Sequence, residues 1–513
     1  MGKTAVKIKK WIENNKVEFF AILFILLVAS YFRFYRISEY LTFLGDEGRD
    51  VILVRRFLVN FDLMLIGPGT SIGNMYLGPL YYYFMAPSLF LAGYSPVGPA
   101  AAIAILGVIT VWFVWFITRE WFGKYGAVLA SLLYAISPTV VIYSKSSWNP
   151  NIMPFFSLLV IYSLWKIYTT KKYFWLLIMA IAFAFVMQSH YLGLLLAPVI
   201  GIYWVLAYLQ NKRKSKKFII YSFFSLLIFL FLMSPLVIFD ARHEWQNSAA
   251  IKKFFSERQT TVSARPWSAL PNIWPLFTNI IERLPAGRSV DFGKWFSLVL
   301  FGGVLWFFSR FKNNFKEIIK SPYLLLIAWL GFALLGLGVY KQHIYDHYYG
   351  FIFAAPFILF GGISQDLVNK AKIRGIWLTS TAMVILVYFN LLNSPLAYPP
   401  NRQLQRTETV AKKIQEESGN ERFNLAVLAE RNYEDAYQYF LEKWGTKITD
   451  IDPQNYEATV ARNLFVVCEL PAEECDPTHS AKAEVANFGW SVIEDQWTIE
   501  GVTLYKLIHS DEL

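Results

Sequence analysis

The chain has 513 residues, 55% hydrophobic and 18% aromatic but only 17% charged, and its mean hydropathy is +0.37. Soluble globular proteins carry about 25% charged residues, so a cytosolic enzyme, a secreted disulfide scaffold and a disordered chain are all excluded. The net charge of +11 is unevenly placed: residues 399–513 hold 11 Lys and Arg against 21 Asp and Glu, and the rest is strongly basic. The one soluble region is therefore acidic, which argues against nucleic acid as a partner.

The chain opens with Lys3, Lys7, Lys9 and Lys10 ahead of the apolar stretch Val17–Tyr35. Arg33-Phe-Tyr-Arg36 stands where a signal peptide would show a small-residue cleavage site, so the stretch reads as a retained first helix with a cytoplasmic N-terminus. Apolar runs long enough for a ~30 Å hydrocarbon core predict further spans at 96–117, 124–143, 152–170, 173–189, 191–210, 218–239, 295–311, 322–340, 347–363 and 374–393.

Gly78–Gly93 is shorter, contains Pro79 and Pro87, and begins with three tyrosines. If it does not span, five basic clusters fall on the cytoplasmic side: Arg119/Lys124, Lys166/Lys171/Lys172, Lys212–Lys217, Arg310/Lys312/Lys316/Lys320 and Lys370/Lys372/Arg374. If it spans, all five move outside. The positive-inside rule makes it a juxtamembrane or re-entrant element, with its tyrosines expected at headgroup level. The result is an α-helical polytopic membrane protein of about 11 spans. Segments 36–95, 144–151 and 240–294 and the tail face outward, and 341–347 lies at the outer mouth between two spans.

Residues 1–397 form the membrane module and 398–513 a small extracytoplasmic α/β domain. In that domain Phe423–Leu428 and Leu464–Glu469 read as strands and Tyr433–Lys443 as a helix. Gly489–Ile493 with Val502–Ile508 reads as a closing hairpin. Cys468 and Cys475 are the only cysteines, and either a disulfide or two free thiols fits them. The final Ser-Asp-Glu-Leu lacks the usual first residue of an endoplasmic-reticulum retrieval signal.

The densest chemical signal is Phe43-Leu-Gly-Asp-Glu-Gly-Arg-Asp50, where Asp46 and Glu47 open a helix running to about Asn60. Acidic residues at a helix start satisfy free N–H groups and suit the dipole. Here they also follow immediately on the first span, at the membrane surface, with Asp50 one turn further on. Basic and imidazole groups collect on the same outer side, against the positive-inside trend. They are Arg242, His243, Arg258, Arg265, Arg283 and Arg288, with Lys145, His190, Lys341, His343 and His347 at helix ends. An anionic ligand such as a lipid phosphate or pyrophosphate explains them, while interfacial snorkelling explains each singly. His343-Ile-Tyr-Asp-His347 could meet a metal on a helix face but lacks a third strong ligand. There is no P-loop, dinucleotide fingerprint or nucleophile elbow.

In order and topology these parts resemble the GT-C superfamily of membrane glycosyltransferases, specifically family 39, which includes protein O-mannosyltransferases and lipid A aminoarabinose transferases. The resemblance rests on Gly45-Asp46-Glu47 after one span, then Gly78-Pro-Leu-Tyr-Tyr-Tyr83, Arg119-Glu-Trp-Phe-Gly123 and Ser137-Pro138. Ser147-Trp-Asn-Pro-Asn151, Ser189-His-Tyr-Leu-Gly193, His347-Tyr-Tyr349 and the outward C-terminal domain continue it. It implies a polyprenyl-phosphate sugar donor, an acceptor hydroxyl on a lipid, glycan or protein, and inversion at the anomeric carbon. It implies Asp46 as general base, with Glu47 orienting substrate or holding a divalent metal, the one cofactor it leaves open. Arg265, Lys341, His343, His347 and Arg242 are the expected donor-phosphate residues. Trp148, Asn149, His190, Tyr191 and Tyr345 are expected to line the substrate pocket. The expected location is a prokaryotic plasma membrane. The alternative is a secondary transporter or flippase for a lipid-linked or anionic substrate. Transporters, however, show repeated halves and ionisable residues near the midplane, whereas these sit at helix ends on one side.

Overall fold

The structure, a computed structural model, describes residues 3–70, 73, 75–210, 215–257, 261–263, 265–310 and 315–510. Lys212–Lys214, Arg258, Lys312 and the last three residues of the C-terminal tetrapeptide lie outside the described residues. Among the described residues, seven helices are long and apolar enough to cross a membrane: Lys16–Phe34, Val97–Trp121, Asn149–Thr170, Tyr191–Leu209, Lys216–Arg242, Val290–Ser309 and Ile373–Leu392. An eighth span results if Asp346–Ile352 and Ala355–Ala371, bent by 53° at their junction, count as one. The shorter apolar helices Lys124–Ile136, Trp175–Ser189 and Pro322–Gly338 occupy the three remaining expected spans.

The pattern of burial follows the membrane. The most hydropathic 18 residues of Lys216–Arg242 are only 11% buried, leaving Phe223, Phe224, Leu230 and Phe231 to lipid. At the start of the first span, Glu18 pairs with Arg119. Near its far end the Arg33 side chain is fully buried and donates to the Ala135 carbonyl at 3.0 Å.

Gly78–Gly93 forms the 12-residue helix Leu80–Leu91, and two of its three tyrosines turn into the protein. Tyr81 and Tyr82 are buried, and their hydroxyls reach Ser147 (2.6 Å) and Asp50 (3.0 Å). Polar partners inside the protein satisfy those groups better than a lipid surface would. The described part of segment 240–294 includes the helices Gln246–Ser256 and the strongly amphipathic Leu270–Arg283, whose Phe277, Ile280 and Ile281 are buried.

The tail builds a five-stranded sheet from β1 (Arg422–Leu428), β2 (Lys447–Ile448), β3 (Asn463–Cys468), β4 (Ser491–Ile499) and β5 (Val502–His509). The order is β2-β1-β3-β5-β4, parallel from β2 to β3 and antiparallel across β3, β5 and β4. β3 and all of β1 after Arg422 are buried on both faces, which is why they read as largely apolar runs. Cys468 at the end of β3 is disulfide-bonded to Cys475.

This domain is not a tethered appendage. Its helices Gln403–Ser418 and Asp435–Lys443 contribute Leu404, Val410, Tyr439 and Phe440 to an apolar core that continues into Phe43, Val51, Tyr81 and Tyr82 of segment 36–95. The Arg56–Glu442 ion pair (2.5 Å) and the bond from Phe43 N to Gln403 Oε1 (3.1 Å) tie its edges.

Candidate active site

Leu44 is extended and the helix Gly45–Asn60 begins immediately after it, with the Glu47 carboxylate accepting from the Leu44 N–H at 3.0 Å. Glu47, rather than Asp46, thus satisfies the helix start. Asp46 points away and remains 43% exposed, its Oδ1 accepting from Arg49 Nη1 (2.9 Å) and from the Tyr433 hydroxyl. Arg49 also donates to Asp50 Oδ1 at 2.8 and 3.1 Å, so one guanidinium joins the two acids that helical spacing places one turn apart.

Burial separates these carboxyls chemically. Glu47 is 7% exposed, and desolvation pushes its carboxyl up to about 8, with the neighbouring Asp46 and Asp50 charges adding to the rise. Asp50 is fully buried and is raised to about 6, burial outweighing the Arg49 ion pair. Asp435, facing this cluster from the C-terminal domain, is raised by burial and by Glu434 to about 7.

Asp46 and Glu47 open onto a cleft of about 310 Å³ with three walls. Thr42 and Leu44 continue the first wall. Ile142, Tyr143, Ser146, Trp148 and Asn151 form the second, and Arg431 and Tyr433 of the C-terminal domain form the third. The bond from Thr42 N to Ser146 Oγ (2.8 Å) holds the first two together. The third is docked through glycine: a Cβ on Gly45 would overlap the Tyr433 ring, and one on Gly48 would overlap the backbone at Asp435–Ala436. Gly45 N also donates to Asn432 Oδ1 at 2.8 Å.

Of the residues singled out in the sequence, the structure brings Asp46, Glu47 and Trp148 to the cleft. His347 lies just behind Trp148 (ring centroids 4.6 Å), next to His190 (5.9 Å) and Tyr345 (5.7 Å), with His343 against Tyr345 (4.5 Å). Asn149 is buried and spends its amide on the Ser189 carbonyl (2.7 Å), while Tyr191 bonds the Tyr76 carbonyl (2.6 Å). Both brace the loops rather than line the cleft. Lys341, Arg242 and Arg265 are exposed and outside the lining. Lys145 is buried with its ammonium 4.3 Å from the Tyr40 ring centre. Asp346 is taken by Arg283 (2.7 Å) and Arg288 (2.8 Å). Among the described residues no three His, Cys, Asp or Glu side chains gather as a metal site.

Sequence reasoning did not single out Tyr433, Arg431 or Tyr143. Tyr433 looked like the first residue of a tail helix, and only the glycines flanking the acidic pair hinted that another backbone approaches there.

Residues 77–239 match the family described as dolichyl-phosphate-mannose-protein mannosyltransferase. The structure of ArnT from Cupriavidus metallidurans bound to undecaprenyl phosphate superposes with a TM-score of 0.62 at 11% identity, over 94% of this chain and 97% of that one. The chain carries the GT-C fold of membrane glycosyltransferases. A second structure with the GT-C fold, archaeal oligosaccharyltransferase AglB from Archaeoglobus fulgidus in complex with an inhibitory peptide and a dolichol-phosphate, superposes with a TM-score of 0.54 at 14% identity. That match covers 89% of this chain and 70% of AglB. No curated relative matches the chain. The GT-C fold here includes the C-terminal domain, since the match to ArnT spans nearly both full lengths.

Proposed function

We propose that the protein transfers a sugar from a polyprenyl-phosphate donor to an acceptor hydroxyl at the outer face of the membrane, with inversion and with Asp46 as general base. The observation that carries this reading is the placement of Asp46. It is the accessible carboxylate of the cleft, held at a helix start by Arg49 and Tyr433 through one oxygen, while no described residue bonds the other. The acceptor O–H gives its proton to that free oxygen as the acceptor oxygen attacks the anomeric carbon. The bond from that carbon to the phosphate oxygen breaks, and polyprenyl phosphate leaves with the electron pair.

Two carboxyls side by side are useful when their environments divide the roles. Glu47, held largely protonated at neutral pH, donates a hydrogen bond to substrate and spares Asp46 a second adjacent negative charge. Asp46 and Glu47 are also the carboxylates a divalent cation would meet in the cleft. Tyr143 and Trp148 offer the flat apolar faces on which a sugar ring packs. Lys341, His343, Tyr345 and His347, on one outer segment, form the rim toward the donor phosphate, backed by His190. Arg242 and Arg265, exposed on segment 240–294, serve the approach of an anionic headgroup. A donor anchored in the bilayer is reached from a cleft at helix ends. ArnT, the fold neighbour whose structure holds undecaprenyl phosphate, supports that class of donor. On this reading the sheet domain is extracytoplasmic, the N-terminus cytoplasmic, and the membrane the plasma membrane.

The test is sugar release from a panel of radiolabelled polyprenyl-phosphate sugars by the purified protein, with and without EDTA. Turnover of one donor is expected. Absence of turnover with every donor, alongside intact anionic-lipid binding, would overturn the reading.

A further inference from the structure

A departing phosphate is stabilised by a cation fixed where its charge develops. The described lining of the cleft holds one such group, Arg431, and it comes from the C-terminal domain rather than from the helices. Arg431 sits in the loop between β1 and Asp435–Lys443, beside two anchored residues. Asn432 accepts from Gly45 N (2.8 Å) and donates to Glu469 Oε1 (2.7 Å), and Tyr433 bonds Asp46. The two residues that follow Arg431 are therefore anchored, and Arg431 itself lines the cleft beside them.

Arginines nearby are already committed: Arg49 to Asp46 and Asp50, Arg56 to Glu442, and Arg406 to Glu469 (3.2 Å). Arg431 is exposed and makes no hydrogen bond or ion pair among the described residues. A cleft that met only a sugar and a neutral hydroxyl would have no use for an uncommitted guanidinium in its lining. A guanidinium fork suits phosphate oxygens in two-point contact.

Building on the function proposed above, we infer that Arg431 binds the phosphate of the lipid-linked donor, so that the C-terminal domain completes the site. The domain's docking through Gly45 and Gly48 places this cation and the Asp46 base on adjoining walls of one cleft. Bond cleavage and proton transfer then depend on the same interface.

The test is equilibrium binding of undecaprenyl phosphate and of undecaprenol to the full-length protein in nanodiscs, for wild type, Arg431→Gln and Arg431→Lys, with inorganic phosphate as competitor. Arg431→Gln is expected to weaken undecaprenyl phosphate binding about ten- to hundredfold. Undecaprenol binding should not change, and Arg431→Lys should recover part of the loss. Competition by inorganic phosphate in wild type but not in Arg431→Gln would identify the phosphate group itself as what is recognised. Unchanged undecaprenyl phosphate affinity in Arg431→Gln would overturn the inference. So would a rise in acceptor KM alone, which would assign Arg431 to an acceptor anion. Failure of wild type to bind any polyprenyl phosphate would instead defeat the functional reading beneath it.

Discussion

The Tyr433 hydroxyl donates a hydrogen bond to Asp46 across 387 residues of sequence, from the C-terminal domain to the helix Gly45–Asn60. That bond joins two parts that read as separate in the sequence, a membrane module and a soluble tail. With Arg49 on the same oxygen, it fixes which lone pairs of Asp46 face the cleft.

Removing only that hydroxyl should therefore affect turnover more than folding. Tyr433→Phe keeps the ring that packs over Gly45 but frees Asp46 to rotate. Single-turnover transfer is expected to slow about tenfold, the worth of one charge-assisted bond, with donor affinity unchanged. A rate equal to wild type would mean that Arg49 alone orients Asp46.

The glycine docking makes a second prediction. Gly48→Ala inserts a methyl against the backbone at Asp435–Ala436 and should cost about 1–3 kcal/mol as an overpacked contact. Loosening of the domain is expected, seen as faster limited proteolysis between 393 and 402 and a lower Tm. Gly201→Ala, in a helix with open space around the position, is the matched control. It should be neutral or stabilise slightly, since alanine is the better helix former. Equal behaviour of the two variants would contradict the packing described.

The Glu47 carboxyl provides a third. Its value rises from 4.5 to about 8 on folding, so the folded state binds a proton that the unfolded chain has already released between those values. The stability this group contributes is full below about 4.5 and is lost as pH rises toward about 8. Glu47→Gln mimics the protonated form, so its Tm relative to wild type should climb across that window and level off above it. A difference that stays constant with pH would show that Glu47 is not held protonated by burial.

Much of the architecture was legible because its signals are local. Hydropathy located the apolar helices, and the acidic pair at the helix start put the boundary at Gly45–Asn60 within a residue. The β1, β3 and hairpin patterns located the sheet. The cleft's third wall was not legible, because nothing local in Asn432-Tyr433 says that it meets Gly45-Asp46. That contact depends on the docked tertiary arrangement. The same holds for Tyr81 and Tyr82, whose placement depends on Asp50 and Ser147 being there to receive their hydroxyls. Arg242 and Arg265 show the converse: a shared membrane side placed them together in the sequence reading, but sidedness does not bring exposed loop residues into one cleft.

The most direct measurement is the paired turnover and donor binding of Asp46→Asn, using the polyprenyl-phosphate sugar that wild type accepts. Asparagine keeps the shape and an oxygen acceptor for Arg49 and Tyr433 but cannot take the acceptor's proton. The account predicts loss of transfer by a factor of at least about 10², with donor affinity essentially unchanged. Transfer at the wild-type rate would remove Asp46 from the chemistry and contradict the account at its centre.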